Sequence, residues 1–563
     1  MSDLVALRTS NGPRIAAAGS ILLVGYEDRD NLGLRYLLSS LRLAGATADI
    51  ARYSSDPTSL VERCLRERPM LIGFSMIFQY MAPDFGRVIA ALRAAGIDAH
   101  ITVGGHYPSF DYDEVLGGLP GLDSVVRFEG EHTLVELAAA VASGREWRGI
   151  AGIAWRDGDE VHANPLRAPL HDLDTLPPPD RASYDYEAER LPTAAILGSR
   201  GCPWDCTFCS IRPFYEAQGG ALRRFRKPAE VVAEMAALYH ERRVELFLFQ
   251  DDDFLAGGRK ARAWACEIAD AVVDAGLAGK IAWKISCRSD EIHAETMVRL
   301  MRGGLTHVYM GVEAGDADDL ADMRKRITAD THLEAGRILR EVGLSFDFGF
   351  MLLQPYSTFA RIRNSIDFLE RFVGDGYAVA GFCRMLPYAG TPIKDRLVAE
   401  GRLLGTPFQP DYRFLDPRLD VFYDWMVTTF HRRNFTDQGL NHVFRAALFE
   451  ARARLDSNQL PPFVRDLVQY LAAVCNKLAF YVLREGLDWI EAASPHELRA
   501  DAPYLRRLAQ HEASEEDRIL GELAELYERW FRAAPEVQTR FSDIRPIGSF
   551  ERTWTFEGDD ARA

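Results

Sequence analysis

Residues 194–209 read AAILGSRGCPWDCTFC, an apolar run that breaks at Gly198-Ser199-Arg200-Gly201 and then delivers Cys202, Cys206 and Cys209. A short apolar run closed by glycine is the mark of a buried strand. Further runs of this kind follow at 245–251 (ELFLFQD), 281–287 (IAWKISC), 306–313 (THVYMGVE), 345–353 (SFDFGFMLL) and 378–386 (AVAGFCRML). Helical patterns separate them, at 228–243, 294–304 and 358–373 among others. The alternation predicts an α/β fold, a (β/α)6 partial barrel over 194–395 whose strand C-termini carry the chemistry. The three cysteines stand at that rim, directly after the first strand.

Upstream, SILLVGY (20–26), MLIGFSM (70–76), AHITVGG (99–105) and SVVRFEG (124–130) read as strands between helical segments at 32–45, 59–68, 84–96 and 133–144. This predicts a doubly wound, Rossmann-like domain over 18–150. Its strand ends carry YEDRDN (26–31), SMIFQY (75–80), GGHYPS (104–109) and RFEGEH (127–132), a rim suited to close backbone approach by a bulky ligand. Residues 151–193 read as a linker. A small hairpin turning at Asp157-Gly158 opens it, and a Pro-, Asp- and Tyr-rich stretch follows. From 396 the strand pattern stops, so 396–563 is predicted to be a mostly helical domain that closes the barrel mouth and selects the substrate. Tyr412, Phe414, Tyr423 and Trp425 are read there as substrate contacts or as ordinary core.

Composition narrows the function classes. The 563 residues carry a net charge of −16, with 47% hydrophobic and 26% charged residues. A chain this acidic lacks the basic face needed to hold nucleic acid or an anionic membrane. No apolar stretch is long enough to span a membrane, and the N-terminus has no secretion signal. The other five of the eight cysteines, Cys64, Cys266, Cys287, Cys383 and Cys475, are scattered. That pattern fits free thiols in the cytoplasm and no disulfide framework.

Three readings of CxxxCxxC compete. Zinc asks for four ligands, and no nearby fourth Cys or His stands at finger spacing. Three structural thiols clustered behind Gly-Cys-Pro by chance are a second reading. A 4Fe-4S cluster on three thiolates is the third, and it leaves one iron open.

CxxxCxxC after a first barrel strand, with Phe208 before the last cysteine, resembles the radical S-adenosylmethionine (SAM) superfamily. FLFQDDDF (247–254), WKISCRSD (283–290), YMGVEAGDADDLADMRKRIT (309–328), FGFMLLQP (348–355) and RMLPYAGTPI (384–393) extend the resemblance in the family's order. It implies a 4Fe-4S cluster on Cys202, Cys206 and Cys209 whose open iron chelates SAM. An external low-potential donor of the flavodoxin or ferredoxin type then drives cleavage to a 5′-deoxyadenosyl radical. It also implies contacts from Asp251 or Asp252 to the SAM amino group, Glu313 to its ribose and Lys325 to its carboxylate, with Ser286 and Arg288 on the same rim. An acidic loop, a structural salt bridge, a surface cation and plain core remain the respective alternatives.

Residues 18–150 resemble the cobalamin-binding domain found ahead of many such enzymes. The resemblance rests on Asn31-Leu32-Gly33-Leu34, Gly104-Gly105-His106 and Glu129-Gly130-Glu131. The DxHxxG loop that supplies a cobalt-ligating histidine elsewhere is absent. The lower face of cobalt is therefore expected to be empty or faced by the Ser75–Tyr80 segment, through Phe78 or Gln79. His106 is expected along the corrin or its nucleotide tail. An unoccupied flavodoxin-like domain is the alternative.

Together the two resemblances imply C-methylation of an unactivated carbon in a natural-product or peptide substrate. A methyl group passes from one SAM to cobalamin, a second SAM yields the radical, and the substrate radical collects the methyl group. Ring contraction, cyclisation or another group transfer is the alternative outcome, and a non-catalytic cobalamin or redox sensor a more distant one.

Overall fold

The structure is a computed structural model that describes residues 15, 19–27, 30–184, 192–436, 438–452 and 461–533. Parts of three predicted segments lie outside the described residues: 28–29 of the first rim, 185–191 of the linker, and 437, 453–460 and 534–563 of the C-terminal domain. The described chain forms two compact units. One comprises Met1–Leu305, Ala321–Arg326 and Leu386–Arg413, the other Thr306–Leu320, Ile327–Met385 and Phe414–Ala563.

In the first unit, strands β1 (Ser20–Gly25), β2 (Thr47–Arg52), β3 (Leu71–Ser75), β4 (His100–Gly105) and β5 (Ser124–Arg127) are mutually parallel. Helices α1 (Leu32–Leu43), α2 (Thr58–Glu67), α3 (Ala82–Ala94), α4 (His106–Phe110), α5 (Tyr112–Gly118) and α6 (Glu131–Ala142) connect or follow them. Both faces of the sheet are covered. Ile21 and Leu23 enter one core with Leu38 and Leu137, and Leu22 and Val24 the other with Phe85 and Val88. That is why the strands read as continuous apolar runs, not as alternations. The strand order is β2-β1-β3-β4-β5-β6-β7, so connections diverge between β1 and β3, the place where doubly wound sheets bind ligands. The predicted hairpin is β6 (Ile153–Asp157) and β7 (Glu160–Ala163). It joins the sheet, β6 running antiparallel to β5, because Ile153 and Ala154 are fully buried.

Three parallel strands of the predicted barrel follow in this unit: β8 (Thr193–Ile196), β11 (Leu246–Phe249) and β12 (Ala282–Arg288). The expected first strand, 194–200, stops early. Its last residues, β9 (Ser199–Arg200), turn away to pair antiparallel with β10 (Arg224–Phe225). The Asp251 carboxylate holds that bend, accepting from Gly198 N (2.8 Å) and Ser199 Oγ (2.5 Å). Helix α7 (Ile211–Ala217) lies between β9 and β10, and α8 (Pro228–Arg242), α9 (Arg259–Asp274) and α10 (Ala294–Arg302) follow.

The second unit contributes β13 (Leu305–Glu313), β14 (Ser345–Leu353) and β15 (Cys383–Arg384), again parallel. The last expected strand, 378–386, shrinks to two residues. Asn476 intercepts the preceding backbone: Ala380 N donates to its Oδ1 (2.8 Å), and its Nδ2 donates to Val373 O (2.6 Å) and Ala378 O (2.9 Å). The expected helical region contains α15 (Pro417–Phe435), α16 (Leu440–Arg452), α17 (Pro462–Ala492) and α18 (Pro503–Ala533). Ahead of α15, in the first unit, come α14 (Pro392–Ala399) and a short hairpin, β16 (Leu403–Gly405) with β17 (Pro410–Tyr412), which the apolar pattern did not reveal. Helices α11 (Ala317–Asp322), α12 (Ala329–Val342) and α13 (Phe359–Val373) complete the barrel region. Tyr412, Phe414 and Trp425 are buried core, and Trp425 Nε1 donates to Leu505 O. Among the described residues no helix is long and apolar enough to cross a membrane.

Candidate active site

The cysteine loop starts at a glycine that no other residue replaces. Gly201 has φ +93°, and a Cβ there would lie 1.9 Å from Leu222 O. Gly201 N donates to the exposed Asp252 carboxylate (2.7 Å). Asp251 and Asp252 thus brace the backbone that leads into Cys202. Burial pushes the Asp251 carboxyl up to about 6, against the opposing hydrogen bonds from Ser199 and Gly198. Cys202, Cys206 and Cys209 are all half-buried. Between the last two, Thr207 is tied down by three bonds: its N to Met323 O (3.1 Å), its Oγ1 to Asp322 O (3.0 Å), and its own carbonyl accepting from Ile393 N (2.9 Å).

Arg288 closes β12 and reaches this loop. Its guanidinium lies over the Trp204 ring, 4.1 Å from the centroid, with Nη1 3.9 Å from Cys206 Sγ. Nη2 donates to the carbonyl of Lys325 (2.6 Å), itself 3% exposed. Ser286 offers its carbonyl to Phe254 N (2.8 Å). Beneath the loop, Glu291 accepts from Trp204 Nε1 (3.3 Å) and shares a hydrogen bond with Asp253. Burial and the neighbouring Asp253 push the Glu291 carboxyl up to about 9. Neither Glu291 nor Trp204 carries a sequence pattern that sets it apart from packing.

The rim of the first sheet meets the cysteine loop within the same unit. Phe214, on the helix that follows Cys209, stacks on His106 with ring centroids 4.1 Å apart and tilts onto Phe128 at 4.9 Å. Glu129 receives Arg200 Nη1 (3.1 Å), Arg224 Nη1 and Nη2 (3.0 and 2.7 Å) and Leu170 N (3.0 Å). Glu131 takes Arg200 Nη2 (2.6 Å). The sequence reading assigned Glu129 to a ligand; the structure gives its oxygens to the arginines that flank the cysteine loop. The run Arg223-Arg224-Phe225-Arg226 was the available signal, since a basic tetrad inside an acidic protein asks for buried partners.

The remaining rim residues divide between caps and cradle. Asn31 caps α1, accepting from Leu34 N (3.2 Å) and donating to Tyr26 O (3.0 Å), and a Cβ added at Gly33 would lie 3.4 Å from its Oδ1. Gln79 is buried and accepts from Ala389 N (2.9 Å). Phe78 stacks on Tyr80 at 5.5 Å and meets Tyr388 at the same distance, and Ser75 pairs in register with Gly104. Gly104 and Gly130 have neighbours within 3.4 Å of any added Cβ, and Gly105 (φ +117°) would clash with Met76 O. His106 Nε2 and Tyr107 Oη are buried with no hydrogen-bond partner, and burial lowers His106 to about 4, so its ring is neutral. In the second unit, Glu313 ends β13 at φ +71°, a left-handed conformation unusual for glutamate and common at sites that hold a ligand.

Residues 21–138 match the B12 binding domain family, and residues 196–369 match the radical SAM superfamily. An uncharacterized methyltransferase of Pyrococcus horikoshii is 26% identical over 424 residues, 74% of this chain and 86% of its own length. Hopanoid C-3 methylase of Methylococcus capsulatus is 26% identical over 396 residues, 68% and 71% of the two chains. Anaerobic magnesium-protoporphyrin IX monomethyl ester cyclase of Cereibacter sphaeroides is 26% identical over 364 residues; the match spans 59% of this chain and little more than half (57%) of the cyclase. Among solved structures, the cobalamin-dependent SAM radical enzyme OxsB superposes with a TM-score of 0.67 at 14% identity, covering 93% of this chain and 84% of OxsB. The radical SAM methyltransferase TsrM from Kitasatospora setae gives 0.60 at 19%, covering 88% and 96%. At such identities these two share the fold. The chain joins a B12-binding domain to a radical SAM domain.

The residues of these two domains fit a 4Fe-4S cluster and a cobalamin. Among the described residues no three His, Cys, Asp or Glu side chains converge to hold a single ion. A 4Fe-4S cluster places each thiolate on a different iron and needs no such convergence. Burial pushes the Cys202 thiol well above its usual range, so a thiolate there needs the positive charge that iron brings. On the other rim, the unpartnered His106 and Tyr107 atoms beside the Gly104-Gly105 turn suit a large polar ligand lying on backbone.

Proposed function

We propose that this cobalamin-dependent radical SAM enzyme methylates an unactivated carbon of a small-molecule or peptide natural product. The observation that carries the reading is the joining of the cobalamin-domain rim to the cysteine loop by Phe214 on His106 and by Arg200 on Glu129 and Glu131. The methylase relatives add weight. When bound, cobalamin, SAM and the cluster supply a transferable methyl group and a radical able to take hydrogen from carbon. The chain's own part is positional. Cys202, Cys206 and Cys209 hold the cluster, Asp251 and Asp252 fix the backbone ahead of them, and Lys325 binds SAM. The Gly104-Gly105 turn gives the corrin a flat backbone bed, and the aromatic layer of Phe78, Tyr80 and Tyr388 excludes water beside it. An external flavodoxin- or ferredoxin-type protein supplies the electron, and the enzyme works in the cytoplasm, a reading its free cysteines support.

Anaerobically reconstituted enzyme with a low-potential reductant tests the reading. S-adenosylhomocysteine formed together with 5′-deoxyadenosine supports methylation. Deoxyadenosine alone favours the non-methylating alternative, to which the cyclase relatives lend weight.

The neutral, phenyl-stacked His106 leads to a second expected result. His106→Phe keeps the stack on Phe214, so cobalt coordination in bound cobalamin stays as in the wild type. Affinity falls by about tenfold, the loss of one polar contact worth ~1.5 kcal/mol. Absorbance spectra of the loaded variant check both points, and altered cobalt bands would make His106 a metal ligand.

A further inference from the structure

We propose that Arg288 sets the reduction potential of the cluster, an inference that rests on the reading of Cys202, Cys206 and Cys209 as cluster ligands. The sequence placed Arg288 on the rim as a SAM contact, but the geometry gives its guanidinium to the cysteine loop. Arg288 is 4% exposed. Its Nε donates to Asp290 Oδ1 (2.9 Å), Nη2 to Asp290 Oδ2 (3.3 Å) and to Lys325 O (2.6 Å), and Nη1 faces Cys206 Sγ at 3.9 Å. Of five N–H groups, these contacts leave at most one for any cosubstrate. The flat face of the guanidinium is taken by Trp204, a residue of the cysteine loop itself.

This arrangement is rigid because Glu291 closes it. One Glu291 oxygen accepts from Trp204 Nε1 (3.3 Å) and the other from Arg288 N (3.3 Å). Glu291 thus fixes the backbone and the ring on either side of the guanidinium, and the cation cannot swing away without losing the ring stack and its bonds to Asp290 and Lys325 O. Reduction adds one electron to the cluster and makes or breaks no bond at Arg288. A fixed positive charge against a ligand sulfur favours the more negative, reduced state, and hydrogen bonds to cluster sulfurs act in the same direction. Asp290, 28% exposed, opposes this by drawing on the same guanidinium. The buried Glu291–Asp253 pair shares a hydrogen bond, and with one proton between the two carboxyls it carries a single negative charge beside the loop.

The two charges give substitutions of opposite sign. Arg288→Gln, Arg288→Lys and Asp290→Asn are reconstituted anaerobically in the full chain. Iron and sulfide are quantified, and the cluster is titrated potentiometrically with visible and EPR detection. Arg288→Gln is expected to shift the reduction equilibrium at least tenfold toward the oxidised form, 59 mV for a one-electron couple. Arg288→Lys, which keeps the charge, stays above Arg288→Gln, and Asp290→Asn moves the midpoint upward. A fully loaded Arg288→Gln with the wild-type midpoint, or Lys and Gln midpoints that coincide, overturns the proposal. Should Arg288→Gln fail to assemble a cluster, Asp290→Asn decides: an unmoved or lowered midpoint overturns the role. A wild-type protein that takes up no 4Fe-4S cluster overturns the ligand reading instead, so the two failures are told apart.

Discussion

Cys206→Ala is expected to lose the brown chromophore and all 5′-deoxyadenosine formation. Two remaining thiolates do not replace a tripod, and Arg288 at 3.9 Å from Cys206 Sγ is left as a buried cation facing an empty position. Cys287→Ala is the matched control. Cys287 is buried on β12, and its thiol is pushed well above the usual range by burial. Its truncation removes packing alone, so cluster loading and SAM cleavage persist. Iron and sulfide analysis with product chromatography separates the two variants. Deoxyadenosine from Cys206→Ala would contradict the ligand assignment.

Glu129→Ala is expected to have the largest effect on stability. The Glu129 side chain is 7% exposed and joins the guanidiniums of Arg200 (12% exposed) and Arg224 (4% exposed), so its removal takes the carboxylate from both. Breaking such a buried network costs about 3–5 kcal/mol. Glu129→Gln loses less, because an amide still offers one acceptor. The pH dependence has a definite sign. Burial pushes the Glu129 carboxyl up, but Arg224 and Arg200 outweigh it and hold the group below its usual range. A carboxylate depressed on folding stabilises the protein fully above its unfolded pKa, and that contribution fades as pH falls through the folded value. Wild type therefore loses stability on acidification below the carboxylate range, while Glu129→Gln responds less steeply there. Denaturant titrations at neutral and acid pH check both statements, and identical acid profiles would remove Glu129 from the network.

The C-terminal strand shows where reading from sequence runs out. Residues 378–386 have the apolar content of a strand, yet a single side chain from far along the chain, Asn476, takes the backbone groups that a ladder would use. Likewise 194–200 promised one strand, and Asp251 bent its end into a separate pairing. Both departures come from polar side chains competing for backbone, which apolar periodicity does not register. The β16–β17 hairpin escaped for a related reason, since three-residue strands at the surface carry no apolar run.

What the sequence by itself determined is the order of elements and the clustering of three thiols on one loop. Apolar runs of fixed length must be buried, and three thiols on one glycine-opened loop have few uses besides metal binding. What only the tertiary structure decided is how charged rim residues are spent. Glu129 is given to Arg200 and Arg224, Gln79 to Ala389, and Arg288 to Trp204 and Cys206. A charge buried at a rim is indistinguishable in sequence from one that waits for a ligand. Its partner is set by distance, and these partners come from segments between 71 and 310 positions away.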